Sequence, residues 1–240
     1  MLRAVGASVT GPGHLELGEG CQDAHSVKGW RGGWIAAVAD GLGSRTHSAQ
    51  GAQVAVRSAH AVARGWERST AWRALPARDV ATEIYRRWLQ TVPWSDKSVA
   101  ATTLLLAICD VDGYTRVWQI GDGLIVSLVN GKTEVLTPER SGFGNETRAL
   151  GVDTAWAAWH SADLVLGNAE DMLLLMTDGI ADDIPRDLLE GFARAVRGEF
   201  RKRSRRGARK WLQRELTEWA TPGHSDDKTL AAIFVDRRKS

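Results

Sequence analysis

The sequence predicts an α+β layered fold, and three observations carry that prediction. Strand-like runs come in blocks and helical segments come in pairs, so the strand–helix alternation of a doubly wound parallel sheet is missing. The apolar runs "IAAVAD" (35–40) and "MLLLMTD" (172–178) have the composition and length of buried strands. No Pro/Ser-rich linker and no internal repeat divides the chain, so residues 1–240 are read as one domain.

Each element follows from its own pattern. "RAVGASVTG" (3–11) alternates and predicts a strand, followed by a Gly-rich loop over 11–23; "GGWIAAVAD" (32–40) is the next strand. Ala49, Ala52, Val56, Ala59 and Ala63 recur at helical spacing over 46–67, which suits a helix lying close on a sheet. A second amphipathic helix is predicted over 77–92, capped either by Asp79 or by the turn at Pro76. Strands are then predicted over 100–110, 114–122, 124–130 and 132–137, the last two joined at Asn130-Gly131, a strong hairpin signal. The "GKT" that follows Asn130 is no phosphate loop, because the first required glycine position holds Val126. Two more strands fall within 161–179, helix within about 185–220, and a final strand over 228–236.

Composition removes several classes. A net charge of +2 produces no global field for nucleic acid or membrane. The N-terminus has no signal-peptide core, and no apolar run approaches the ~18 residues of a membrane span. Cys21 and Cys109 make neither a CxxC pair nor a disulfide framework, in keeping with a reducing, cytoplasmic setting. The eleven Trp are scattered, which favours packing over a stacking platform. Cys21 beside Asp23 has no evident paired base, so packing or redox sensitivity outweighs a nucleophilic role. Ten Arg/Lys between 194 and 214 make either a solvated helix face balanced by Glu199 and Glu215 or a dock for an acidic or phosphorylated partner.

What remains is a set of acidic residues at strand ends: Asp40-Gly41, Asp122-Gly123, Asp178-Gly179 and Asp226-Asp227, with Asp23 in "CQDA". Each Asp-Gly alone is an ordinary turn signal. Several carboxylates meeting in a core would repel one another unless a cation compensated them. Oxygen ligands without a His or Cys cluster suit Mg²⁺ or Mn²⁺. Two such ions ~3.5–4 Å apart can share a water and clamp a phosphoryl group for in-line attack.

Together these segments resemble the metal-dependent type 2C protein phosphatases in their bacterial form, almost end to end. "CQDA" (21–24) and "VADGLGS" (38–44) are similar to the first two acidic motifs, "ATTLLLAI" (101–108) to the Thr-Thr strand, and "IGDGLIVSLVNGKTEVLT" (120–137) to the Gly-Asp strand and hairpin. "TRALG" (147–151), "MTDGIADD" (176–183) and "SDDKTLAAIFV" (225–235) complete the series in order. The resemblance implies a four-layer sandwich, with two central antiparallel β-sheets flanked by α-helices. It implies that Asp40 bridges two metal ions, Mn²⁺ or Mg²⁺, with the Gly41 carbonyl on one, while Asp178 and Asp226 complete the other. Asp23 would hold a metal-bound water, and Asp122 would sit near a third, weaker position with Asp182. Asp226 is preferred to Asp227 because the family's ligand lies three residues before the residue entering the last strand, here Thr229. The implied activity is hydrolysis of phosphoserine and phosphothreonine in protein substrates of a Ser/Thr kinase, by a metal-bridging hydroxide and with no phosphoenzyme. A monomer is the expectation.

Two departures stand out. Many members carry an Arg five residues before the first Asp, to grip the substrate phosphate. That position is Gly18, and His14 is the nearby candidate to donate to a phosphate oxygen in its place, its other reading being an ordinary loop histidine. The segment before "TRALG" is short, leaving little room for the flap that relatives build beside the site. The missing Arg also motivates a second reading, a pseudophosphatase acting as a binding or regulatory module.

Overall fold

The structure is a computed structural model describing residues 1–66, 71–138, 148–154, 156–219, 221 and 224–236. Among these residues the strands form two antiparallel sheets. The first has the order β1 (Leu2–Val9), β10 (Lys228–Val235), β9 (Met172–Met176), β6 (Leu124–Val129) and β7 (Lys132–Val135). The second runs β2 (Asp23–Trp30), β3 (Gly33–Asp40), β4 (Leu104–Cys109), β5 (Tyr114–Ile120) and β8 (Trp159–Val165). The helices are α1 (Pro12–Glu16), α2 (Ser48–Gly65), α3 (Ala77–Thr91), α4 (Asp178–Ala181), α5 (Leu189–Lys202) and α6 (Arg205–Glu218).

The layering explains the apolar runs. Side chains alternate across a strand, so Ile35, Ala37 and Ala39 of β3 pack with Ala52, Ala55 and Ala59 of α2 and with Ile84 and Trp88 of α3. Their neighbours Ala36 and Val38 face the other way, onto Leu173 and Leu175 of β9 and Ala231 and Ile233 of β10. On the far side, Leu174, Ala232 and Phe234 meet Val196 and Phe200 of α5 and Leu212 and Leu216 of α6. Helix, sheet, sheet and helix therefore stack, with buried apolar side chains filling each space between them. A central strand covered on both faces has no solvent side, which is why these runs carry no polar alternation.

The expected hairpin is present. Asn130 and Gly131 both have positive φ, 52° and 76°, as a two-residue turn matched to strand twist requires, and Val129 pairs with Lys132. The amphipathic helix over 77–92 is capped at Pro76, with Asp79 inside its first turn. Two expectations need correction. Residues 11–23, read from sequence as loop, contain α1, begun by Pro12 at a position where its fixed φ suits a helix. Residues 23–30, where the sequence pattern announces no strand, form β2; as an edge strand it leaves Lys28 and Gly29 exposed, so its apolar pattern is diluted. The expected short flap falls on 139–147, outside the described residues. No helix among the described residues is long and apolar enough to cross a membrane.

Candidate metal centre

Strands β2 and β3 pair so that Asp23 lies directly opposite Asp40. Asp40 is fixed by its main chain. Its amide donates to the Thr103 hydroxyl at 2.9 Å, and its carbonyl accepts from the Thr102 hydroxyl and the Thr103 amide, each at 2.8 Å. Asp23 is buried, and its carboxylate accepts from the Thr177 hydroxyl at 2.8 Å. Thr177 lies between β9 and Asp178, and its hydroxyl also accepts from the Thr229 amide at 3.1 Å. One hydroxyl therefore links the first acidic motif to the strands that carry the last two.

Asp178 opens α4, and its neighbour Gly179 sits against the chain entering β10. A Cβ at Gly179 would lie 2.0 Å from the Asp227 carbonyl, so only glycine permits this approach. Asp226 and Asp227 then diverge. Asp226 is exposed and lines a cleft. Asp227 is buried; its carboxylate accepts from the amides of Gly11 at 2.7 Å and Gln22 at 2.5 Å, and meets His14 Nδ1 at 2.9 Å. With the Gly13 amide donating to the Ser225 carbonyl at 2.9 Å, this stitches the N-terminal loop to the last motif.

The cleft is open and measures about 490 Å³; Asp40, Gly41, Asp178 and Asp226 line its acidic side, with His14, Gln22, Leu42, Arg45 and Val152 among the rest. A second hollow adjoins it, sharing His14, Asp178 and Asp226 and adding Asp182 and His224. His224 contacts the buried carboxylate of Asp183. Asp122 lines neither hollow, but its charge reaches Asp178.

Electrostatics match this geometry. Burial pushes the Asp23 carboxyl up to about 7, against the opposing hydrogen bonds from Thr229 and Thr177. Burial also raises Asp40 well above the carboxylate range, with the charges of Asp23, Asp178 and Asp226 adding to it. Asp178 is raised by burial first, then by Asp226 and Asp182. Among the described residues, no Lys or Arg side chain forms an ion pair with Asp23, Asp40, Asp178 or Asp226. Carboxylates gathered without an ion-paired Lys or Arg, offering oxygen donors alone, fit a hard divalent ion. A tighter grouping of donors, from His14, Asp226 and Asp227, lies within 4.8 Å. Asp227, however, already accepts from two amides and faces His14, which commits its oxygens to the fold.

Comparison with known proteins names the family. Residues 10–219 match the family model described as Protein phosphatase 2C. The chain belongs to that family. Its fold is similar to the phosphatase domain of the Bacillus subtilis cell-fate determinant SpoIIE, with 15% identity over 100% of this chain and a TM-score of 0.66. The chain spans 64% of that SpoIIE fragment. PppA of Pseudomonas aeruginosa, a key regulatory component of T6SS, gives 20% identity, 97% coverage of both chains and a TM-score of 0.65. The catalytic domain of the serine/threonine phosphatase PstP, solved with two manganese ions, gives 17% identity over 98% of this chain and 99% of its own, with a TM-score of 0.60. No curated protein matches the chain in sequence. Type 2C family and fold together support a metal-dependent protein phosphatase.

Three residues in or beside the cleft take parts that the sequence pattern did not assign to them. Thr177 and Asp227 act through hydrogen bonds that no spacing announces. Arg45 has a sequence signal, because it directly follows the "DGLGS" motif. Cys21 is half-buried with its sulfur near the carbonyls of Val9 and Asp23, and burial pushes its thiol up, which fits packing rather than nucleophilic chemistry.

Proposed function

We propose that this chain hydrolyses phosphoserine and phosphothreonine in protein substrates, using two Mn²⁺ or Mg²⁺ ions. The observation that supports it most is the gathering of Asp40, Asp178 and Asp226, from three strand ends far apart in sequence, around one cleft, with no Lys or Arg ion-paired to them among the described residues. Asp40 and the Gly41 carbonyl, with Asp178 and Asp226, would hold the ions, and Asp122 with Asp182 a third, weaker one. The ions would activate water and neutralise charge on the phosphoryl oxygens. Asp23, held by Thr177, would orient the attacking water, and His14 would touch a phosphate oxygen from the N-terminal loop. A phosphorylated target of a Ser/Thr kinase is the partner class this chemistry serves, and a cytoplasmic monomer is the working form.

The purified protein should release p-nitrophenol from p-nitrophenyl phosphate with Mn²⁺ and stop when the metal is chelated. Asp40→Ala or Asp178→Ala should reduce turnover by at least about a thousandfold, the scale expected when electrostatic stabilisation of the transition state is lost. Undiminished turnover in Asp40→Ala would refute the reading. Gly18, standing where many relatives have Arg, favours the pseudophosphatase as the second reading. Metal binding without any turnover on a phosphopeptide would select it.

A further inference from the structure

We infer that Arg45 is the substrate-phosphate anchor of this cleft, taking from the turn after β3 the task that residue 18 cannot perform. The inference rests on the phosphatase reading above. Among the described residues lining the cleft, Arg45 is the one with a permanent positive charge. Ions held by Asp40, Asp178 and Asp226 would take the phosphate oxygens nearest the floor, and the oxygens turned to the rim need a charged donor of their own, which a guanidinium there supplies. His14 is the other basic group among the described lining residues, but its Nδ1 faces Asp227 at 2.9 Å, which leaves only Nε2, 4.0 Å from Glu19, to touch a phosphate oxygen; it can assist an anchor and not replace a guanidinium. Arg45 forms no ion pair among the described residues, although Asp96 lies within its electrostatic reach. Its guanidinium is therefore available to receive two phosphate oxygens in a forked pair.

The backbone beneath Arg45 is held by main-chain hydrogen bonds. Its amide donates to the Leu42 carbonyl at 2.8 Å, and its carbonyl accepts from the Ser48 amide at 3.3 Å. On either side, the Leu42 amide donates to the Ala101 carbonyl at 3.0 Å and the His47 amide to that of Val99 at 2.8 Å, which ties the turn to the chain entering β4. The turn that carries Arg45 begins at Asp40 and Gly41, so the anchor and the proposed metal ligands share one support. Such sharing limits the distance between the groups that would hold one phosphoryl group from two sides.

Steady-state kinetics on a phosphopeptide, with inorganic phosphate as competing ligand and Mn²⁺ present throughout, test this. Arg45→Ala should raise KM and the phosphate inhibition constant by about tenfold to a hundredfold, the scale of a lost charged hydrogen-bond pair. The loss should fall mainly on KM, Arg45→Lys should recover part of it, and His14→Ala should cost less. Arg57→Ala, which removes a similar charge from the exposed side of α2, controls for net charge. Equal phosphate inhibition in Arg45→Ala and the parent protein overturns the inference. If the parent protein shows no turnover, the phosphatase reading falls separately. Calorimetric titration of the Mn²⁺-loaded protein with inorganic phosphate then decides: binding that Arg45→Ala abolishes upholds the anchor, and binding that it leaves intact, or no binding by the parent, overturns it.

Discussion

Thr177 carries more of the site than any single carboxylate's neighbour would suggest. Its hydroxyl donates to buried Asp23 and accepts from the Thr229 amide, so it is used in both senses. Thr177→Val keeps the shape and removes both bonds, leaving a buried carboxylate and a buried amide without that partner. The expected loss is about 2–4 kcal/mol of stability, summed over two unsatisfied groups at ~1–3 kcal/mol each with partial relaxation. Urea denaturation of the metal-free protein measures it. Thr177→Ser, which keeps the hydroxyl, should lose much less; equal losses in the two variants would show that the methyl group, not the hydrogen bonds, matters there.

At the scale of elements, α2 depends on small residues. It faces β3 with Ala52, Ala55 and Ala59, and Gly51 lies against the turn at 97–100 so closely that a Cβ would stand 1.8 Å from the Ala100 carbonyl. The Gly51 carbonyl also accepts from Trp88 Nε1 at 3.1 Å, which ties α2 to α3. Gly51→Ala should therefore push α2 outward and cost at least about 2 kcal/mol, despite alanine's better helix propensity. A melting temperature equal to or above the parent's would contradict the close approach. The basic run belongs to the same scale. Arg194, Arg201, Lys202, Arg203 and Arg214 pair with nearby Glu side chains, and Arg197 is buried against Phe234, so most of its charge is committed within the fold.

For the whole molecule, the gathered carboxylates set the pH dependence of stability. Asp23 has a folded value near 7 and an ordinary unfolded value of 3.8, so the folded state binds more protons between them. Without metal, stability is full below the unfolded value and falls as pH rises through that window, by an amount on the order of a few kcal/mol. Chelated protein should thus denature at lower urea at pH 8 than at pH 5. Asp23→Asn should make this slope shallower, Asp40 and Asp178 supplying what is left, and Mn²⁺ should raise the midpoint most at the higher pH, because the ion binds the ionised folded form. A midpoint that climbs from pH 5 to pH 8 in the chelated protein would contradict the account.

Much of this is legible in the chain. Buried strands announce themselves by unbroken apolar runs, the Asn130-Gly131 turn by its dipeptide, and Asp40, Asp122 and Asp178 by the glycines beside them. These signals are local, and local backbone preference or burial on both faces produces them. Strand β2 escapes because an edge strand is only half covered, and α1 because five residues give too little period. Other features have no local signal at all. That Asp227 binds two amides while Asp226 faces the cleft, that Thr177 serves Asp23, and that Arg45 overlooks the same acids depend on which distant segments the two sheets bring together. Sequence determined most of the strands and helices and all of the residue types; only tertiary packing decided which carboxylates share a dielectric pocket, because charge interactions act through space and not along the chain.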